Sequence, residues 1–202
     1  MLRHLLVTLA LLALPLSAVD AVGSGETRIQ VVDERGRPVR DAVVEIDSPR
    51  TGAGRITFPW RMAMAQRDEA FVPGTLIIAR GSTVAFPNLD RVRHSIYSFS
   101  RAARFEIDLY GRDQTRTHTF PAAGTVALGC NIHDDMRGYI RVVTTPHAAK
   151  TDHNGIARIG GVPSGNATVT IWHPRLRAPG GEMSRTLAIS GTTSRRIPVR
   201  LR

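Results

Sequence analysis

One cysteine, two histidines and one methionine in this chain can reach a shared metal ion. The run Cys130-Asn131-Ile132-His133-Asp134-Asp135-Met136 spaces a thiolate, an imidazole and a thioether as C-x2-H-x2-M. Apolar runs at residues 124–128 and 138–143 flank it and read as strands, so the motif is a short loop at one end of a sandwich. His94 opens another β-branched run behind the turn Pro87-Asn88-Leu89-Asp90 and supplies a fourth donor. Soft thiolate and thioether favour Cu(I), whereas imidazole suits both copper oxidation states. Two imidazoles and a thiolate with a weak axial thioether satisfy neither state's extreme preference, so little moves when an electron arrives or leaves. Zinc competes for such donors, but its structural sites are tetrahedral and seldom include methionine. Each donor taken singly has an ordinary alternative. A lone cysteine is commonly a small buried hydrophobe or an intermolecular bridge, His94 a surface strand residue, and Met136 core filler. Their coincidence in one loop, with a histidine at an upstream strand start, points to copper.

The elements that must position these donors are nearly all strands. Alternating or β-branched runs recur at residues 27–32, 42–46, 75–78, 82–86, 94–99, 104–109, 124–128, 138–143, 166–172, 186–189 and 196–201. Turn formers separate them, among them Arg35-Gly36-Arg37-Pro38, Arg80-Gly81, Asn154-Gly155 and Pro163-Ser164-Gly165. This rhythm predicts an all-β sandwich architecture rather than alternating strands and helices. Residues 61–70 hold at most a helical turn or two. Residues 27–47 read strand, turn, strand, and residues 148–173 read as a hairpin around Asp152-His153-Asn154-Gly155 followed by a further strand. A different unit lies between them, so the expectation is a copper-binding sandwich over 60–145 inserted in a smaller one built from 26–55 and 146–202.

Composition bounds the setting. Arg3 precedes an apolar run from Leu5 to Leu16, and small residues at Val19 and Ala21 follow it, so residues 1–21 read as a cleaved export signal and not as a membrane anchor. No later segment is apolar enough to span a membrane, and a periplasmic protein is expected. Exported proteins commonly use cysteines in pairs; the single cysteine here is therefore a buried thiol, an intermolecular bridge or a ligand. The formal net charge is +10, carried almost wholly by arginines, with Lys150 the only lysine. These charges are scattered, which suits a solvated surface that steers acidic partners. Export and sparse aromatics argue against nucleic acid. His118, His147, His153 and His173 have no ligand spacing and read as surface or structural residues; Trp172-His173-Pro174 reads as core packing, with a docking patch as the alternative.

Residues 64–145 resemble the plastocyanin/amicyanin family of blue copper proteins, or cupredoxins. The resemblance rests on FVPGTLIIARGSTVAFPNLD (Phe71, Pro73, Gly81, Val84, Phe86, Asn88), on RHSIYSF with His94, and on GTVALGCNIHDDMRGYIRVV with the loop donors. It implies a Greek-key sandwich with one mononuclear type 1 copper site at His94, Cys130, His133 and Met136. It also implies a one-electron carrier, not an enzyme, working between redox proteins such as a cytochrome or a periplasmic dehydrogenase. The stretches VVDERGRPVRDAVVEI and KTDHNGIARIGGVPSGNATVTIWHP are similar to the two halves of a carboxypeptidase regulatory-like (transthyretin-like) sandwich. The combination resembles exported bacterial proteins labelled methylamine-utilisation or plastocyanin-like proteins. Two positions depart from the family. Ser95 stands where relatives have an asparagine that braces the thiolate loop, and Asp134-Asp135 follow His133 where a proline is common. A copper-trafficking protein and a structural sandwich with a vacant site are the alternative functions. An oxidase or reductase would need further histidine ligands.

Overall fold

The computed structural model describes residues 25–202, so the export signal read over residues 1–21 lies outside the described residues. Among the described residues there is no α-helix, and none long and apolar enough to cross a membrane. The architecture is all-β, as the turn spacing predicts.

Alternation along the strands decides what packs where. Strands β5 (Thr75–Ala79), β11 (Arg137–Val143), β10 (Gly124–Gly129), β7 (His94–Ser100) and β8 (Ala103–Tyr110) form a five-stranded sheet in that order. Its inner face sends Leu76, Ile78, Ile96, Val126, Leu128, Ile140 and Val142 into one buried cluster. The ladder of β6 (Thr83–Pro87) and β9 (Thr115–Thr119) closes that cluster from the other side with Val84 and Phe86. Beside it lies the short hairpin β3 (Ala65–Arg67) and β4 (Ala70–Val72), joined to β6 and the loop after it by the bridges Ala63–Ala85 and Gln66–Asn88.

A second cluster belongs to the chain's two ends. One three-stranded sheet places β1 (Glu26–Val32) between β13 (Ile156–Gly160) and β16 (Thr193–Pro198). A four-stranded sheet runs β12 (Ala148–Lys150), β2 (Val43–Asp47), β14 (Gly165–Trp172) and β15 (Glu182–Ile189). Ile29, Val31, Val44, Ile46, Ala157, Ile159, Val169, Ile171 and Ile197 interlock between these two sheets. Strand residues alternate faces, so the other face of the four-stranded sheet is free to meet the five-stranded one. It does so through a third cluster of Val43, Ile77, Val143, Ala148 and Trp172, and Trp172 packs 5.3 Å from the Tyr139 ring. Trp172, at 1 % exposure, is therefore core and not a docking patch.

The structure corrects two local expectations. Residues 61–70 hold no helical turn. They carry the β3–β4 hairpin, whose turn residues Asp68 and Glu69 both take left-handed conformations (φ 53 and 55). Such turns favour asparagine and glycine, so an Asp-Glu pair gives no hairpin signal in the sequence. Residues 148–173 do not form a hairpin ladder around Asp152. The turn closes tightly, with Ile156 N–H bonded to the Asp152 carboxylate at 2.9 Å, but β12 then pairs with β2 and β13 with β1, in opposite sheets. Residues 27–47 do form strand, turn and strand, with β1 and β2 in different sheets and the reversal between them pairing only Val32 with Pro38.

Candidate metal centre

The four predicted donors gather at one end of the five-stranded sheet. His94 is the first residue of β7, while Cys130, His133 and Met136 lie on the loop from β10 to β11. One donor atom each from His94, Cys130 and His133 lies within 4.8 Å of the other two, the only such histidine, cysteine or carboxylate group of three among the described residues. Cys130 and Met136 are 3 % and 2 % exposed and share the inner apolar cluster, and His94 is fully buried. Met136 N–H donates to the His133 carbonyl at 3.0 Å, closing the loop into a turn that keeps histidine and methionine together.

The imidazoles are oriented by what their other nitrogens touch. His94 Nε2 lies 2.8 Å from Asp90 Oδ2; the carboxylate accepts, so Nε2 carries the proton and Nδ1 keeps its lone pair. That Nδ1 sits 3.7 Å from Cys130 Sγ. On His133, Nδ1 is buried with no hydrogen-bond partner, while Nε2 points toward Glu69 Oε2 at 3.8 Å. A buried imidazole nitrogen left unpaired costs free energy unless something else occupies its lone pair. A metal does that, and two imidazole nitrogens beside a thiolate suit copper.

A support layer surrounds these donors, and most of it escapes sequence reading. Asp90 accepts from Asp68 N–H and, at 3.1 Å, from Glu69 N–H, so the β3–β4 turn clamps the carboxylate that holds His94. Partial burial pushes the Asp90 pKa up, but the bonds from Glu69, His94 and Asp68 outweigh it and hold the carboxyl below its ordinary value. Asn88 fixes the same turn: its carboxamide donates to the Val92 and Tyr110 carbonyls, and its oxygen accepts from Asp90 N–H. Ser95 Oγ accepts from Asn131 N–H at 3.1 Å. The residue after His94 thus braces the cysteine loop, although it is not the expected asparagine. Neither Asp90 nor Glu69 carries a motif: Asp90 ends the turn four residues before His94, and only the hairpin tip's closeness in space reveals Glu69.

Glycines flanking the loop let it pack. A Cβ on Gly129 would lie 2.5 Å from Tyr97 Cζ, and one on Gly138 would lie 2.8 Å from Phe71 Cβ. Asp134 and Asp135 are exposed, whereas His133 is half-buried beside the exposed Ile132. The remaining histidines stand apart. His118 stacks on Phe105 at 3.8 Å, and burial lowers its pKa. His173 Nδ1 accepts from Arg175 N–H, His153 contacts Asn154, and His147 is buried beside Thr145.

No protein-family model and no curated protein matches the chain. Among solved structures, part of the chain is similar to a copper-containing nitrite reductase from Thermus scotoductus SA-01, at 25% identity and TM-score 0.39. That match covers 48% of this chain and spans a quarter, 25%, of the reductase. A reduced Cu(I) form of an amicyanin variant matches at 21% identity and TM-score 0.38, covering 50% of this chain and 98% of that one.

Proposed function

We propose that this protein is an exported, periplasmic copper protein. It binds one ion at His94, Cys130, His133 and Met136 and carries single electrons between redox protein partners. The observation that carries this reading is the buried, unpartnered His133 Nδ1, in a group with the Cys130 sulfur and the lone-pair nitrogen of His94. Bound copper supplies the one-electron Cu(II)/Cu(I) couple.

The chain's own residues supply rigidity and access. Asp90 fixes the His94 ring, the apolar cluster fixes Cys130 and Met136, and Ser95 ties the loop to β7. Donors locked by packing and by outer hydrogen bonds keep their positions between oxidation states, which is what rapid electron exchange needs. His133, with 23% of its side chain exposed, gives a partner its way in. The structural role proposed for the end-segment sandwich, residues 26–55 with 146–202, is to hold the copper unit through the third apolar cluster.

Loading with Cu(II) is expected to give intense visible absorption from thiolate-to-copper charge transfer, and voltammetry a reversible one-electron wave. Cys130→Ala removes the colour. A variant that keeps it would overturn the ligand assignment, and an irreversible wave would overturn the carrier role.

A further inference from the structure

One sizeable groove among the described residues lies away from the metal centre. With a volume of about 850 Å³, it lies at the far end of the five-stranded sheet, where the segment leading from β2 to β3 passes the β5–β6 turn. Strand β11 starts directly after Met136 and runs toward it, and its seven residues at roughly 3.3 Å each put the groove about 23 Å from Met136. Its volume lies within the range of about 300–1,000 Å³ typical of small-molecule sites.

The lining is selective. Arg55 and Arg80 both face the groove, no carboxylate lines it, and among the described residues neither arginine forms an ion pair. Away from the groove, by contrast, Glu26, Asp33, Glu34, Asp41 and Glu45 each meet a basic side chain. An aromatic wall stands beside the two cations. Phe58 stacks on Trp60 with ring centroids 4.7 Å apart and planes at 8°. The indole is fixed by its Nε1–H, which donates to the Ile77 carbonyl at 2.8 Å. The turn that presents Arg80 is tied by backbone bonds from Arg80 N–H to Val143, Gly81 N–H to Phe120 and Ser82 N–H to Ala79. Wall and cation mount are therefore both set before any ligand arrives, and preorganisation of that kind lowers the cost of binding.

We infer that this groove is a second binding site, for a small aromatic carboxylate whose ring lies on the Phe58–Trp60 wall while its carboxylate pairs with Arg55 and Arg80. Guanidinium groups bind carboxylates through paired, charge-assisted hydrogen bonds, and a flat ring adds stacking on the wall. Hydroxyls of Thr57 and Ser82 line the same groove.

The test is an NMR titration of the full-length protein with 1-naphthoate, following the Trp60 indole N–H. 2-Naphthalenemethanol and sulfate serve as the neutral and ring-free probes. Saturable shifts with naphthoate are expected, with affinity lowered about tenfold or more in Arg55→Gln and in Arg80→Gln, each step of ten being about 1.4 kcal/mol. Arg104→Gln, remote from the groove, leaves it unchanged. Both groove arginines are exposed, so their variants keep the fold, which the unchanged remaining spectrum checks. Absence of saturation, equal binding of the neutral alcohol, equal binding of sulfate, or unchanged affinity in both arginine variants would each overturn the proposal.

Discussion

At the scale of single residues, the proposed centre depends on an aspartate as much as on its donors. Asp90 accepts the His94 Nε2 proton and is itself held by two backbone N–H groups. A carboxylate acceptor makes the imidazole a more electron-rich donor, which favours Cu(II) over Cu(I). Asp90→Asn keeps an oxygen acceptor in place and removes the charge, and charge-assisted bonds are roughly twice as strong as neutral ones. A change of about 1 kcal/mol corresponds to some 40 mV for one electron, where 59 mV is a tenfold change. Voltammetry of Asp90→Asn is therefore expected to show a rise of tens of millivolts; an unchanged potential with copper bound would remove Asp90 from the tuning of the centre. Asp134 and Asp135 act differently because both are exposed. A charge about 7 Å from the metal contributes roughly 2 kcal/mol at an effective dielectric of 20, and solvent screening reduces that. The double variant Asp134→Asn with Asp135→Asn is expected to raise the potential at low salt, and the rise shrinks as salt is added. A rise independent of salt would point to altered loop geometry instead.

At the scale of elements, the β10–β11 loop and the β3–β4 hairpin meet the donors from two sides. Gly138 lets Phe71 of β4 lie directly against the start of β11. Gly138→Ala inserts a methyl where no space exists, and overpacking of this kind costs about 1–3 kcal/mol. Denaturant unfolding measures that loss, and the copper spectrum is expected to broaden because β11 leads out of the metal loop. In the end-segment sandwich, turns are held by carboxylates. Asp152 accepts from the Ile156 and Asn154 backbone N–H groups, and these bonds, the Ile156 bond foremost, hold its pKa below the ordinary 3.8. A carboxyl with a depressed folded pKa contributes stability above its unfolded value and loses it as pH falls through the folded one. Asp152→Asn is therefore expected to be less stable than the parent at pH 7, with the gap closing below pH 3.8 as the parent protonates. Thermal unfolding at several pH values reads this, and a gap that stays constant would mean that the lost bond geometry matters and the charge does not. These turns were legible as turns because Asn154-Gly155 and Arg35-Gly36 are strong local signals. Their partners were not, since the same tight turn serves a hairpin or a crossing between sheets, and only long-range pairing separates the two.

At the scale of the molecule, four layers of sheet stack, and the contact between the two middle layers is part apolar and part ionic. Arg141 leaves the five-stranded sheet to meet Glu45 and Glu182 of the four-stranded one, the latter at 2.7 Å, and Thr125 Oγ1 accepts from it at 2.9 Å. Burial works against the charge of Arg141, but the two carboxylates outweigh it and raise its pKa. Removing one partner of a buried pair leaves the other charge stranded, at a cost of about 3–5 kcal/mol. Arg141→Ala is accordingly expected to lower the denaturation midpoint strongly, and Arg141→Ala with Glu45→Gln to recover part of the loss. Failure of the second change to recover any of it would mean that Glu45 is not the stranded group.

Within the sequence alone, the all-β class, most turn positions and the proposed donors at His94, Cys130, His133 and Met136 can be read. Alternation, turn chemistry and the C-x2-H-x2-M spacing are local properties, and each limits conformation within a few residues. The tertiary structure decided what those residues face. Glu69 reaches His133, and the Asp68 and Glu69 N–H groups clamp Asp90, only because a hairpin with no turn signature folds over the strand start, and Ser95 braces the loop only because Asn131 lies across from it. The Arg55–Arg80 groove exists only where the segment after β2 crosses the β5–β6 turn. Trp172 is core only because two sheets close on it. Each of these contacts joins residues remote in the chain, and their partners are set by how sheets stack, which no short window of sequence records.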